Sequence, residues 1–292
     1  MLMLSLLALP LAAAGCAKPM ADGAAAPSPG VSISPPAPEN LVRDGYHGRF
    51  QVTAYVLASE QHGPQLCRAL AESLPPQCGG PEVVGWTWDG LQYESALQTK
   101  WGEYQLVGTY ENEKFTLTEP PRPPVRETPP TGPAAFPTLC APPAGGWKVV
   151  DPAKVSSDAM EAAIAVAQKS PDYAGLWIDE ANATADPTPH NDPGRLIVNV
   201  RFTKNLAEHE HELREQFGGK LCVLPARHTE KELLAIQDQI VATPGVTASS
   251  PDPVTETINV RLFLATEAQQ RDFDARYGVG LIVLKGELKP LD

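Results

Sequence analysis

The chain has 292 residues, with 42% hydrophobic and 20% charged residues, enough for about two globular domains. Its formal charge of −12 and pI near 5.0 make it repel phosphate backbones, which argues against a nucleic-acid partner. The 31 prolines cluster, which marks linkers between domains.

The chain opens MLMLSLLALPLAAAGCAKP. The apolar run from Leu2 to Ala14 is too short to span a bilayer and fits the h-region of an export signal. Ala13, Ala14 and Gly15 before Cys16 resemble the lipobox of bacterial lipoproteins. That resemblance implies that Cys16 is acylated (palmitate being one such acyl group) and becomes the first mature residue. It places the protein on the outer face of the membrane in the cell envelope; an ordinary secretory signal is the alternative. Residues 1–16 are thus expected to be a signal peptide. Residues 17–44, rich in Ala, Pro, Ser and Gly in their first two dozen positions, should be a flexible tether.

Five cysteines are present, Cys16, Cys67, Cys78, Cys140 and Cys222, and an odd thiol in an exported chain needs a reason. If Cys16 carries lipid, the other four can form two bridges in an oxidising compartment, with three pairings possible. Cys67 and Cys78 lie close in sequence with Pro75-Pro76 bringing the chain round; pairing them leaves Cys140 with Cys222. No CxxC occurs, so neither a zinc ribbon nor a thioredoxin-type site is indicated.

Residues 45–119 alternate as β-strands in YHGRFQVTAYVLA, EVVGWTW and YQLVGTYENEKFTLT. A hairpin is expected at Glu111-Asn112-Glu113 and a short helix over 64–73. The segment should form a small barrel or sandwich. Trp86 and Trp88, two apart on an expected strand, would share a face. They are core residues or, if exposed, an aromatic platform for cell-wall glycan. The stretch LCRALAESLPPQCGGP resembles exported actinobacterial proteins, a likeness that implies no activity. Residues 120–146 read as a stiff Pro-rich linker.

In residues 147–292, Asn199–Leu224 and Asn259–Leu284 align without a gap. NVR recurs at 199–201 and 259–261, and Gly218/Gly278, Leu221/Leu281, Val223/Val283 and Leu224/Leu284 coincide. A helix is expected over 158–169, then a strand at 173–179. Leu196, Val198, Val200 and Phe202 alternate as a one-face-buried strand, as do Ile258, Val260, Leu262 and Leu264. Asn205 with Glu208, Thr229 with Glu232 and Thr266 with Gln269 are expected helix caps. The weakest strand signal is VTASSP at 246–251. The element order is αββαβ twice over, and its last six elements read βαββαβ, the ferredoxin-like split arrangement. The expected fold class is therefore α+β: a small all-β domain followed by a duplicated ferredoxin-like domain.

YAGLWID, RLIVNV, KELLAIQDQI, INVRLFL and YGVGLIVLKGELKP, together covering about 171–288, resemble the pro-regions of α-lytic-type and streptogrisin-type serine proteases. That resemblance implies a sheet that grips a protease and assists its folding. No protease domain accompanies it in these 292 residues, so the implied action is on a separate exported protein. If helices cover only one face of the sheet, Asn199, Arg201, Asn259, Arg261 and Phe263 lie on the open one. They form the candidate protein-binding face.

No nucleophile elbow, P-loop, HExxH or EF-hand loop is present. In EHEHE (208–212), residues two apart point to opposite sides of a helix, so His209 and His211 cannot share one metal ion and should be exposed. No catalytic residue, metal ligand or cofactor is nominated. The expectation is a non-enzymatic, membrane-anchored envelope protein that binds or assists another exported protein.

Overall fold

The structure, a computed structural model, describes residues 33–125, 136–180 and 192–291. Cys16 and most of the expected tether lie outside the described residues, as do 126–135 of the expected linker. The protein is mixed α/β, with several sheets and, among the described residues, four α-helices.

The first part is built from β1 (Phe50–Ala58), β2 (Gln65–Cys67), β3 (Glu82–Val84), β4 (Glu94–Ala96), β5 (Thr99–Glu111) and β6 (Lys114–Leu117). In β1 the inward positions Phe50, Val52, Ala54 and Val56 are buried, as the two-residue period requires. They pack on Leu66, Val83, Leu106 and Phe115. Strands β1, β2, β3, β6 and β5 are hydrogen-bonded in that order, and β5 returns to β1, so the sheet closes into a five-stranded barrel. All neighbours in the ring are antiparallel except β3 and β6, which run parallel. The β5–β6 hairpin turns at Asn112 and Glu113, both at positive φ (50° and 58°), the backbone that a tight two-residue hairpin turn demands.

Two expectations for this part are corrected. Residues 64–73 carry β2 and turns where a helix was expected, because Leu66 and Cys67 are drawn into the barrel wall. Trp86 and Trp88 lie beyond the end of β3, so no shared strand face exists.

The second part carries the same order of elements twice. The first unit is α1 (Ser157–Lys169), β7 (Tyr173–Asp179), β8 (Ile197–Phe202), α2 (Leu206–Gln216) and β9 (Lys220–Pro225). The second is α3 (Glu230–Val241), β10 (Val246–Asp252), β11 (Thr257–Leu262), α4 (Glu267–Tyr277) and β12 (Ile282–Gly286). In each unit the first two strands are antiparallel and the third lies parallel to the second. Even a bulge repeats, between Tyr173 and Gly175 and between Val246 and Ala248. Helix-facing residues fill two separate cores: Val198, Val200, Leu213 and Phe217 in the first unit, and Ile258, Val260, Leu262 and Phe273 in the second.

The ferredoxin-like pairing does not form. β9 pairs with β8 and does not join β10–β12, so two three-stranded sheets replace one antiparallel sheet. In each unit the β-α-β crossover lays its returning strand beside the strand it left. The gapless alignment also fails at the last strand. Asn199 stands opposite Cys222, but Asn259 stands opposite Val283, one residue later than a sixty-residue offset gives. Three residues separate β8 from α2 but four separate β11 from α4; that extra residue shifts the register, and a one-residue shift exchanges faces. Val223 therefore packs against the helix-side core, whereas Val283 lies on the opposite side from Ile282 and Leu284.

The ends of the expected tether and linker are fastened. Glu39 bridges to Lys285, and Val42, buried, bridges to Thr266. A last strand, β13 (Lys289–Pro290), pairs with β1, and Leu288 and Phe263 enter the barrel core. Two disulfides, Cys67–Cys78 and Cys140–Cys222, have Cα separations of 5.9 and 5.8 Å. The second holds the linker's end on β9.

Candidate binding surfaces

The candidate sheet face is largely closed. Asn199 is fully buried, and Arg201 and Phe263 are each 7% exposed. Over the first sheet lie Leu139 from the linker's end and Val254 from the β10–β11 turn, packed on Trp177, Ile197 and Leu224. Asn199 donates from Nδ2 to Thr138 Oγ1 at 3.2 Å. Arg201 donates to three backbone carbonyls: Nε to Pro253 at 2.7 Å, Nη2 to Val254 at 3.1 Å and Nη1 to Pro225 at 2.6 Å. Its Nη1 lies 3.4 Å from Glu256 Oε2, and its guanidinium sits over the Trp177 ring. Burial draws the Arg201 guanidinium below its ordinary pKa, while Glu256 and Asp252 oppose that shift. Phe263 belongs to the barrel core. Of the five residues expected on an open face, Asn259 is half-buried and Arg261 alone is exposed. The helices do cover one side only. The other side of the first sheet is sealed by segments distant in sequence, which no strand periodicity registers.

Trp86 and Trp88 meet edge to face, with ring centroids 5.1 Å apart and planes at 80°. Trp86 packs likewise on Tyr104, and Trp88 is tilted at 59° to Tyr93. Rings so inclined to one another fill volume and offer no continuous flat platform. Both tryptophans pack against the barrel core.

The helix carrying EHEHE departs from expectation at one residue. His209 is 8% exposed and stacks on Phe202 with ring centroids 4.1 Å apart, whereas His211 is exposed. His209 Nδ1 faces Glu212 Oε2 at 3.1 Å, and Nε2 faces Asp172 Oδ2 at 3.3 Å and Ser170 Oγ at 3.4 Å. Serine, histidine and a carboxylate thus meet, a grouping the sequence concealed because Ser170 and His209 lie 39 residues apart. The grouping is not arranged for nucleophilic catalysis. The Asp172 carboxylate competes for the same Nε2, and Ser170 Oγ accepts from the Asp172 backbone N–H at 3.1 Å. Asn205 has left-handed backbone (φ 56°) and makes no side-chain cap; it donates to Asp172 Oδ2 instead. Burial by itself would raise the Asp172 carboxyl, but bonds from His209, Lys204 and Asn205 outweigh it and hold the pKa lowered.

Among the described residues, a cleft of about 860 Å³ opens between the barrel and the second unit. On the barrel side it is framed by the loop after β1 and by the β5–β6 turn, with Gln65, Tyr110, Asn112 and Lys114 in its wall. On the other side stand Thr247 and Gln269. The β1–β2 loop is held in shape by the Ser59 N–H donating to the His62 carbonyl at 2.9 Å. Lys114 Nζ pairs with Glu82 at 2.7 Å, so these two charges neutralise one another at the rim. Burial pushes the Tyr110 phenol up, with the Glu113 carboxylate adding to the effect, so the hydroxyl remains a donor across the physiological range. Sequence reasoning missed this cleft. Its wall joins β5–β6 to residues more than a hundred positions away, and single polar residues on strands carry no signal of what will face them.

No protein-family model matches the chain, and no curated protein matches it.

Proposed function

We propose that this chain is a non-enzymatic binding protein of a bacterial envelope, exported and anchored through lipid on Cys16, that engages another exported protein in the cleft between its barrel and second αββαβ unit. The observation that carries this reading is the cleft itself: concave, large enough for a peptide segment, and walled by donors and acceptors with an aromatic ring among them. Two disulfides suit an oxidising compartment. The proposal moves the contact from the sheet face that burial of Asn199, Arg201 and Phe263 has closed. Chemical crosslinking in intact envelopes, followed by mass spectrometry, tests it. Crosslinked partners should disappear when Tyr110→Ala and Lys114→Glu are combined, in a variant whose cooperative thermal transition shows that it still folds despite the lost core contact and the lost Glu82 pair. Partners retained by that variant would refute the cleft.

A second reading is favoured by the barrel's connectivity. A five-stranded Greek-key barrel of this order is of the OB type, whose second and third strands and neighbouring loops bind oligonucleotides or oligosaccharides. The net charge of −12 disfavours the first ligand, and the amides of Gln65, Asn112 and Gln269 suit the hydroxyls of the second. Cell-wall polysaccharide binding that is lost with Tyr110→Ala and kept with Trp88→Ala would support glycan as the ligand. The reverse pattern would return the role to the tryptophans.

A further inference from the structure

The two units offer the same sheet position to different surroundings. Gly175 stands opposite Arg201, and Ala248 opposite Arg261; Trp177 stands opposite Asn199, and Ser250 opposite Asn259. In the first unit the guanidinium is covered by the β10–β11 turn of the second, whose carbonyls at Pro253 and Val254 accept from it. Gly175 makes room for that turn: a Cβ there would come within 2.7 Å of Pro253 Cβ. In the second unit no described segment closes over the guanidinium, and Arg261 is exposed. The Arg261 side chain is 44% exposed, and its one charged partner among the described residues is Glu287 at 3.3 Å. Ser250 beside it is exposed.

We infer that the face around Arg261 is a socket for a β-turn of a second polypeptide, gripped through its backbone carbonyls as Arg201 grips the turn at 253–254. The occupant's chemistry follows from the differences between the units. Glu287 supplies the carboxylate that Glu256 supplies to Arg201, so an incoming turn needs to bring only carbonyl oxygens. Ala248 projects a methyl where Gly175 has none, so the residue seated against it is glycine and not proline. The guanidinium fork can serve two such oxygens at once, which an ammonium cannot do in the same geometry. The inference shares with the cleft reading the idea of a protein partner, but it uses a different surface.

The probe is a backbone-cyclised peptide with the sequence of residues 249–258 of this chain carrying Pro253→Gly, titrated into the full chain and followed by NMR. Saturable binding with shifts at Ala248, Ser250 and Arg261 is expected. Arg261→Ala and Arg261→Lys should each weaken it by about tenfold or more, the size of a lost bond to a charged group. The unaltered Pro253 peptide should bind more weakly. Absent binding, binding indifferent to Arg261, or shifts centred on Trp177 and Arg201 would each overturn the socket. Because Tyr110 and Lys114 line the cleft and not this face, their crosslinking result stands or falls separately.

Discussion

Arg201 and Arg261 are the same letter at the same place in two copies, yet their energetics differ because their surroundings do. Arg201→Ala would strand three carbonyls and Glu256 in a closed interface, at a cost of about 3 kcal/mol; Arg261→Ala should change stability by less than about 0.5 kcal/mol. Urea denaturation of the two variants in parallel checks this. A second residue-scale expectation concerns Asp172. A carboxyl whose pKa is lower in the folded state contributes stability that is fully present above its unfolded value, about 3.9, and is lost as pH falls through the folded value. Asp172→Asn should therefore be less stable than the parent at neutral pH, and the difference should shrink as the medium is acidified below about pH 4. Denaturation midpoints across that range would show it; a gap that stays constant would mean that packing, not charge, is what the substitution removes. Gly218 shows a third kind of residue constraint. An added Cβ would run into the Asp151 backbone carbonyl, so the glycine that ends α2 is also the point where the chain entering the first unit docks.

Among the elements, α3 and α4 start at full capping boxes, Thr229 with Glu232 and Thr266 with Gln269, as their spacing implied. Thr229→Ala and Thr266→Ala should each lower stability by about 1 kcal/mol. Asn205→Ala should act differently: α2 has no side-chain cap to lose, the part of the effect that comes through Asp172 should fade at acid pH, and the cost of alanine in left-handed backbone (φ 56°) should remain. These predictions are separable by comparing the three variants at neutral and acid pH. Strand β9 carries the longer disulfide, which closes a span of 82 residues. Replacing Cys140 and Cys222 by serine should cost about 4–5 kcal/mol in the chain-entropy view, measurable as a lowered melting temperature; reductant, which can also open Cys67–Cys78, should lower that of the parent protein by at least as much. The helices and most strands of the second part were legible because burial on one side imposes a period on the letters. The one-residue slip at β12 was not. Leu281, Val283 and Leu284 match their counterparts in type, and hydrophobicity on both sides of a strand leaves its register unmarked.

At the scale of the molecule, the barrel is not an independent bead on a string. Its core includes Val42, Phe263 and Leu288, and β13 extends its sheet from the far end of the chain. A fragment of residues 45–125 should therefore lack a cooperative thermal transition, while tryptophan emission and far-UV dichroism of the whole chain should fall together; a sharp transition in the fragment would contradict this. The sequence by itself determined the class of each segment: where strands alternate, where helices begin, that the second part repeats αββαβ, and which cysteines lie close enough along the chain to bridge. These are local properties, written in period, capping and spacing. Tertiary structure alone decided that each repeat closes its own three-stranded sheet, that Arg201 is sealed while Arg261 is open, that Ser170, Asp172 and His209 meet, and that a cleft opens between barrel and second unit. Each of those depends on which distant segment covers a given face, and a side chain's own position along the chain carries no record of what will lie above it.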